Sequence, residues 1–188
     1  QMIKRCTATG YYDHNLVVMA ERITDCLGPM APKDQPRQRL WKVRAKQVVL
    51  ATGAIERPLV FPNNDRPGIM LASAVRQYVN RYAVTPGQRV VVVTNNDSAY
   101  RTALDLNAAG VQVVAVVDAR SDAQGFWVQQ AQAEGIRILN NRYVTNTKGR
   151  KGIKAVQVTE RTGTSTDPQQ QRGKSSWLDC DLLAMSGG

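Results

Sequence analysis

The chain has 188 residues, with 25 Lys+Arg against 15 Asp+Glu and a formal net charge of +10. Its length allows one full domain, or one domain and part of another, and 43% hydrophobic residues exclude disorder for most of it. No apolar run approaches the ~20 residues of a membrane helix, and Gln1-Met2-Ile3-Lys4-Arg5 leads into no secretion signal, so a cytoplasmic protein without membrane contact is expected.

Taken in chain order, residues 3–9 and 16–22 read as strands around a turn at 10–15, and a Pro/Gly-rich loop follows at Gly28, Pro29, Pro32 and Pro36. Residues 40–44 alternate in polarity. Residues 47–51 form a short apolar, β-branched run of the kind buried on both faces of a sheet. An ordered loop over 54–68 precedes a helix over 72–82, where Val75, Tyr78, Val79 and Tyr82 recur at helical spacing. The most regular stretch comes next: strand 89–93, helix 98–109, strand 112–117, helix 126–133 and strand 136–139. Strands alternating with helices predict a parallel sheet with helices on both faces, the first half of a doubly wound nucleotide-binding fold. Residues 142–147 and 153–159 read as an antiparallel hairpin. Residues 160–176 read as a mobile loop and 178–185 as a final strand. A chain that opens inside a strand and closes on Ser186-Gly187-Gly188 reads as a fragment.

Cys6, Cys26 and Cys180 are odd in number and scattered, so a disulfide framework is not expected, and no Cys-x-x-Cys occurs. His14 is the single histidine, which removes histidine triads and multi-histidine metal sites from this chain; no metal ligand is predicted. It reads as a turn residue, Trp127 and Trp177 as packing residues, and Glu56 with Arg57 as a structural pair. The basic clusters at 37–46 and 148–154 lack a nucleic-acid reader motif and read as solvated faces, or as a surface meeting an acidic subunit.

A dinucleotide site needs a strand, a glycine-rich turn and a helix N-terminus, whose amides stabilise the pyrophosphate. Val90-Val91-Val92-Val93 leads into Thr94-Asn95-Asn96-Asp97-Ser98-Ala99. Against G-x-G-x-x-G/A, Thr94 and Asn96 replace the two glycines and only Ala99 matches. An Asn96 side chain fills space the phosphates would use, and Asp97 adds like-sign charge. Asp118 lies 19 residues past Ala99, near the spacing of a ribose-binding carboxylate. Either Asp118 selects NAD over NADP in a working site, or the scaffold persists with its pocket closed; the closed, vestigial site is the reading preferred here.

Ala51-Thr52-Gly53-Ala54-Ile55-Glu56-Arg57-Pro58 is similar to the A-T-G segment of flavoproteins with two dinucleotide-binding domains, the glutathione-reductase-like class. The run from Phe61 to Arg76, with Gly10-Tyr11-Tyr12-Asp13-His14-Asn15 and Met185-Ser186-Gly187-Gly188, resembles the α subunits of bacterial heterotetrameric sarcosine oxidases. The resemblance implies a Rossmann-like FAD/NAD(P)-binding α/β fold with a central parallel sheet and an antiparallel β-meander. It divides the chain into the later part of a first dinucleotide-binding domain (1–62), a connector with a helix (63–88), a second such domain (89–178) and a return strand to the first (179–188).

The resemblance further implies an oxidoreductase that oxidatively demethylates sarcosine to glycine. Oxygen gives hydrogen peroxide, and the one-carbon unit leaves as formaldehyde or on tetrahydrofolate. NAD would lie in the α subunit, with FAD and FMN elsewhere in an assembly with β, γ and δ subunits. Carried over, Ala8 falls where a backbone amide meets the adenine, and Ala51, Thr52 and Gly53 where the chain passes the cofactor. No catalytic residue falls in this stretch, and the isolated stretch is expected to be inactive and to hold little or no nucleotide. Two alternatives remain: a subunit of a related amine or opine oxidase, and a non-catalytic Rossmann scaffold for subunit docking.

Overall fold

The structure is a computed structural model describing residues 2–162 and 172–187. The chain divides into two compact units, Gln1–Gly53 and Ala54–Gly188.

The first unit is an antiparallel sheet of β1 (Cys6–Tyr12), β2 (Leu16–Arg22) and β3 (Gln38–Arg44) in that order. The turn between β1 and β2 is tighter than expected, since Gly10, Tyr11 and Tyr12 already pair with β2. His14 and Asn15 both adopt positive φ there (58° and 54°). Asn15 tolerates it because its side chain anchors the turn, accepting from the Tyr11 hydroxyl at 2.6 Å and donating to the Lys46 carbonyl at 3.0 Å. Residues 47–51, expected as a strand buried on both faces, are not one: Val49 is 89% exposed and Leu50 69%. Such a strand needs hydrogen-bonded neighbours on both sides, and no described strand lies beside it.

The second unit is built on five parallel strands in the order β4 (Ile69–Leu71), β11 (Leu182–Ser186), β5 (Arg89–Thr94), β6 (Gln112–Asp118) and β7 (Ile138–Leu139). Strand alternation sends side chains to opposite faces. Val90 and Val92 of β5, Val116 of β6 and Leu182 and Ala184 of β11 pack against helices α1 (Ala72–Tyr82), α2 (Ser98–Ala108) and α3 (Phe126–Ala133). Val91, Val93, Val117, Leu183 and Met185 face the other way, onto Val144, Val156, Val158 and Leu178. Those four belong to an antiparallel sheet of β8 (Arg142–Lys148), β9 (Ala155–Arg161) and β10 (Arg172–Asp179). The expected α/β fold with a central parallel sheet and a meander is thus present. The meander, however, covers the face where further helices were expected.

The closing strand departs from expectation twice. Residues 178–185 are not continuous, because the chain turns at Cys180 and Asp181 between β10 and β11. The Asp181 carboxylate accepts from the backbone amides of Gln88 and Arg89, each at 2.9 Å, and its own amide donates to the Arg89 carbonyl at 3.0 Å. Nor does 179–188 run back to an earlier domain: β11 pairs in parallel with both β4 and β5 and lies inside this sheet. Likewise the segment from Ala54 to 62 belongs with this unit. Glu56 accepts the Ser73 amide at 2.7 Å, the Arg57 carbonyl accepts the Gly187 amide at 3.0 Å, and Phe61 is buried. The expected connector 63–88 supplies the edge strand β4 and α1. Most of the loop expected at 160–176 lies outside the described residues, but 160–161 end β9 and 172–176 begin β10. At the β8–β9 turn Gly149 has φ +137°, and a Cβ there would collide with the Gly152 carbonyl.

Candidate functional site

β5 and β6 end side by side, with Thr94 opposite Asp118. This is the position where parallel α/β sheets bind ligands, beyond the carboxyl ends of their strands. The turn from Thr94 to Ser98 is closed by its own side chains. The Thr94 hydroxyl donates to the Asn96 carbonyl at 2.9 Å and accepts the Asn96 amide at 3.0 Å. Asn96 Oδ1 accepts the Ser98 amide at 3.0 Å and the Ser98 hydroxyl at 2.6 Å. Its Nδ2 donates to Asn95 Oδ1 and to the Ser186 hydroxyl, each at 3.1 Å. One carboxamide thus uses two donors and two acceptor positions, its full capacity, on groups of the protein itself. The first amide of α2 thus donates to Asn96, and Ala99 packs beneath, 1% exposed.

Asp118 is fully buried and equally committed. Its Oδ1 accepts the Arg120 amide at 2.9 Å and Arg120 Nε at 3.1 Å; its Oδ2 accepts Arg120 Nη2 at 2.7 Å and the Tyr100 hydroxyl at 2.8 Å. Four bonds fill the carboxylate's acceptor positions. Arg120 Nη1 reaches on to Asp97 Oδ1 at 2.7 Å, so one guanidinium bridges two carboxylates. The cluster is self-consistent electrostatically. Burial, then the hydrogen bond to Asp118, raises the Tyr100 hydroxyl far above the ordinary phenol value, while the bond to Asp118 holds Arg120 still more firmly protonated. A dinucleotide needs a free carboxylate for its ribose hydroxyls and bare amides for its pyrophosphate. These residues do not fit it, because both are occupied from within.

The structure therefore brings Thr94, Asn96, Ala99 and Asp118 together. The spacing argument missed Tyr100, Arg120 and Ser186; only Arg120, two residues past Asp118, left a sequence signal. In the first unit, Ala8 sits on β1 opposite Met19, next to a bulge. Ala51, Thr52 and Gly53 are exposed, and no backbone group of residues 47–53 has a hydrogen-bond partner among the described residues. No hydrogen bond joins Ala8 to Ala51, Thr52 or Gly53 there. Their amides stand available to a ligand, and Gly53, at φ +74°, has open space around it.

Glu56 caps α1 through Ser73 rather than pairing with Arg57. Trp127 lies under the Arg101 guanidinium at 4.9 Å, and Trp177 under the Lys148 ammonium at 4.0 Å. Among the described residues no three His, Cys, Asp or Glu side chains gather as a metal site requires, and no helix is long and apolar enough to cross a membrane. Cys180 is buried, which pushes its thiol up to about 12.

The family model for pyridine nucleotide-disulphide oxidoreductases matches residues 37–188. The chain belongs to that family. It is 43% identical over 188 residues to the sarcosine oxidase α subunit of Corynebacterium sp. (strain U-96), covering 99% of this chain and 19% of that protein. The α subunit from Rhizobium meliloti (strain 1021) is 41% identical, with 100% and 17% covered. The chain thus spans under a fifth of the length of these curated relatives. The crystal structure of T. acidophilum thioredoxin reductase superposes with a TM-score of 0.56 at 18% identity, covering 80% of this chain and 47% of that one, a likeness of fold. No Cys-x-x-Cys occurs in this sequence.

Proposed function

We propose that this chain forms the dinucleotide-binding part of a sarcosine oxidase α-type subunit, with the cofactor held by its first nucleotide domain and not by its second. The observation that carries this reading is the 41–43% identity extending over 99–100% of the chain. In the proposed reaction sarcosine, water and oxygen give glycine, formaldehyde and hydrogen peroxide; with tetrahydrofolate the one-carbon unit leaves as the methylene derivative. FAD and FMN, bound in the wider assembly, would supply the two-electron transfer from the amine to oxygen.

Here the chain's own residues bind and position rather than react. Ala8, Ala51, Thr52 and Gly53, in the unit ending at Gly53, offer backbone amides to NAD. From Ala54 onward the chain forms the second nucleotide domain, whose site at Thr94, Asn96, Ala99 and Asp118 is vestigial. The self-satisfied hydrogen bonds of Asn96 and Asp118 support that assignment. This domain serves as a rigid platform for the β, γ and δ subunits in a cytoplasmic complex, with no role in nucleic-acid binding.

The test is oxygen uptake by the complete purified complex. Hydrogen peroxide formed from sarcosine, and faster than from opines or other secondary amines, is expected. Oxidation of an opine or another secondary amine with none of sarcosine would refute the substrate assignment.

A further inference from the structure

A cavity of about 390 Å³ lies between α1 and α2 and takes no part in the reading above. Its volume is at the lower end of the small-molecule range. Arg76 and Arg81 reach it from α1 and Arg101 from α2, with the Gln77 and Asn80 side chains beside them and Glu56 at the rim.

The state of those three guanidinium groups is informative. Arg76 uses Nε on Asp105 Oδ2 at 2.6 Å, an oxygen that also accepts Asn80 Nδ2 at 2.6 Å. Arg101 lies over the Trp127 ring at 4.9 Å and Arg81 over the Tyr82 ring at 5.7 Å. Stacking uses the face of a guanidinium and leaves its edge N–H donors free, while fixing where they point. Among the described residues neither Arg81 nor Arg101 has an ion-pair or hydrogen-bond partner. Of the nearby carboxylates, Glu56 accepts the Ser73 amide at 2.7 Å and Asp105 Oδ2 holds Arg76 and Asn80, so two acids stand against three guanidinium groups. The lining therefore holds an excess of oriented donors over acceptors.

We propose that this cavity binds a small phosphate-bearing anion. Donors line it from Arg76 and Arg81, five residues apart on α1, and from Arg101 on α2 opposite. A tetrahedral phosphate offers acceptor oxygens in all these directions, whereas a planar carboxylate is matched by a single arginine fork. The cavity admits a phosphomonoester or pyrophosphate group and is too small for a whole dinucleotide, so the inference stands apart from the NAD assignment.

Calorimetric titration of inorganic pyrophosphate into the complete protein tests it. One saturable site is expected, weakened about tenfold or more in the double variant Arg81→Gln/Arg101→Gln and unchanged in Arg150→Gln at the β8–β9 turn. Citrate is expected to bind more weakly than pyrophosphate. Neither exchanged arginine is ion-paired, so the double variant loses only its two ring contacts and its thermal unfolding midpoint falls by no more than a few degrees. Four results overturn the proposal: no saturable binding, full affinity in the double variant, equal weakening in Arg150→Gln, or citrate binding as tightly as pyrophosphate.

Discussion

Arg120 grips the buried Asp118 carboxylate through two guanidinium nitrogens, at 3.1 and 2.7 Å, and so takes up acceptor positions that a ligand hydroxyl would need. Asp118 is fully buried while the Arg120 side chain is 32% exposed, and that asymmetry sets the cost of separating them. Removing the partner of a buried charge is far more damaging than losing a surface ion pair. Arg120→Ala is expected to destabilise the chain by about 3 kcal/mol in urea unfolding. Arg120→Lys recovers only part of the loss, since an ammonium cannot present the two-nitrogen fork.

Asn96, one residue before the N-cap of α2, accepts the first amide of that helix through its side chain. Asn96→Ala leaves the Ser98 amide without its acceptor and is expected to cost about 1 kcal/mol. Asn96→Asp, which keeps an acceptor beside the helix N-terminus, is expected to cost less, as read from shifts in the urea midpoint.

Asp181 joins the start of β5 to the start of β11 by accepting the Gln88 and Arg89 amides. Asp181→Ala strips both of their acceptor, with an expected loss of about 1–3 kcal/mol. Because these amides lie at the sheet's end, hydrogen exchange at residues 88 and 89 is expected to speed up while Val91 and Val92 stay protected.

Alkaline pH is expected to destabilise the fold in a defined order. Burial, reinforced by Asp181, pushes the Cys180 thiol up to about 12, and Tyr100 is raised by burial and by Asp118. Both groups keep their protons in the folded chain at pH values where the unfolded chain releases them. Their stabilisation is therefore complete below the unfolded values, about 8.5 for the thiol and 10 for the phenol, and is lost as pH rises. Urea midpoints measured from pH 7 to 11 are expected to fall, and Cys180→Ala to flatten the part of the fall that begins near pH ~9.

Local pattern made much of the second unit legible. The bounds of α1 and α3 follow from apolar spacing and from Gly135 just beyond α3, and the valines of β5 and β6 announce strands buried on both faces. Comparing Thr94, Asn96 and Ala99 with a glycine-rich turn picks out residues that the fold brings together beside Asp118. What escaped depends on partners far away in sequence. The break at Cys180 and Asp181 is set by amides at 88 and 89, and the fate of Asp118 by Tyr100 and Arg120. Apolar residues at 47–51 carry the signature of a buried strand, yet burial comes from neighbouring strands and not from the segment itself. Tyr78 and Tyr82 share the helical spacing of Val75 and Val79, yet both rings are exposed, at 44% and 58%.

The most direct test of the closed second site is calorimetric titration of NADPH into the complete protein and into its Asn96→Phe variant. The two isotherms are expected to coincide, because no dinucleotide lies across the turn that Asn96 fills. Micromolar NADPH binding that the phenylalanine abolishes would contradict the account.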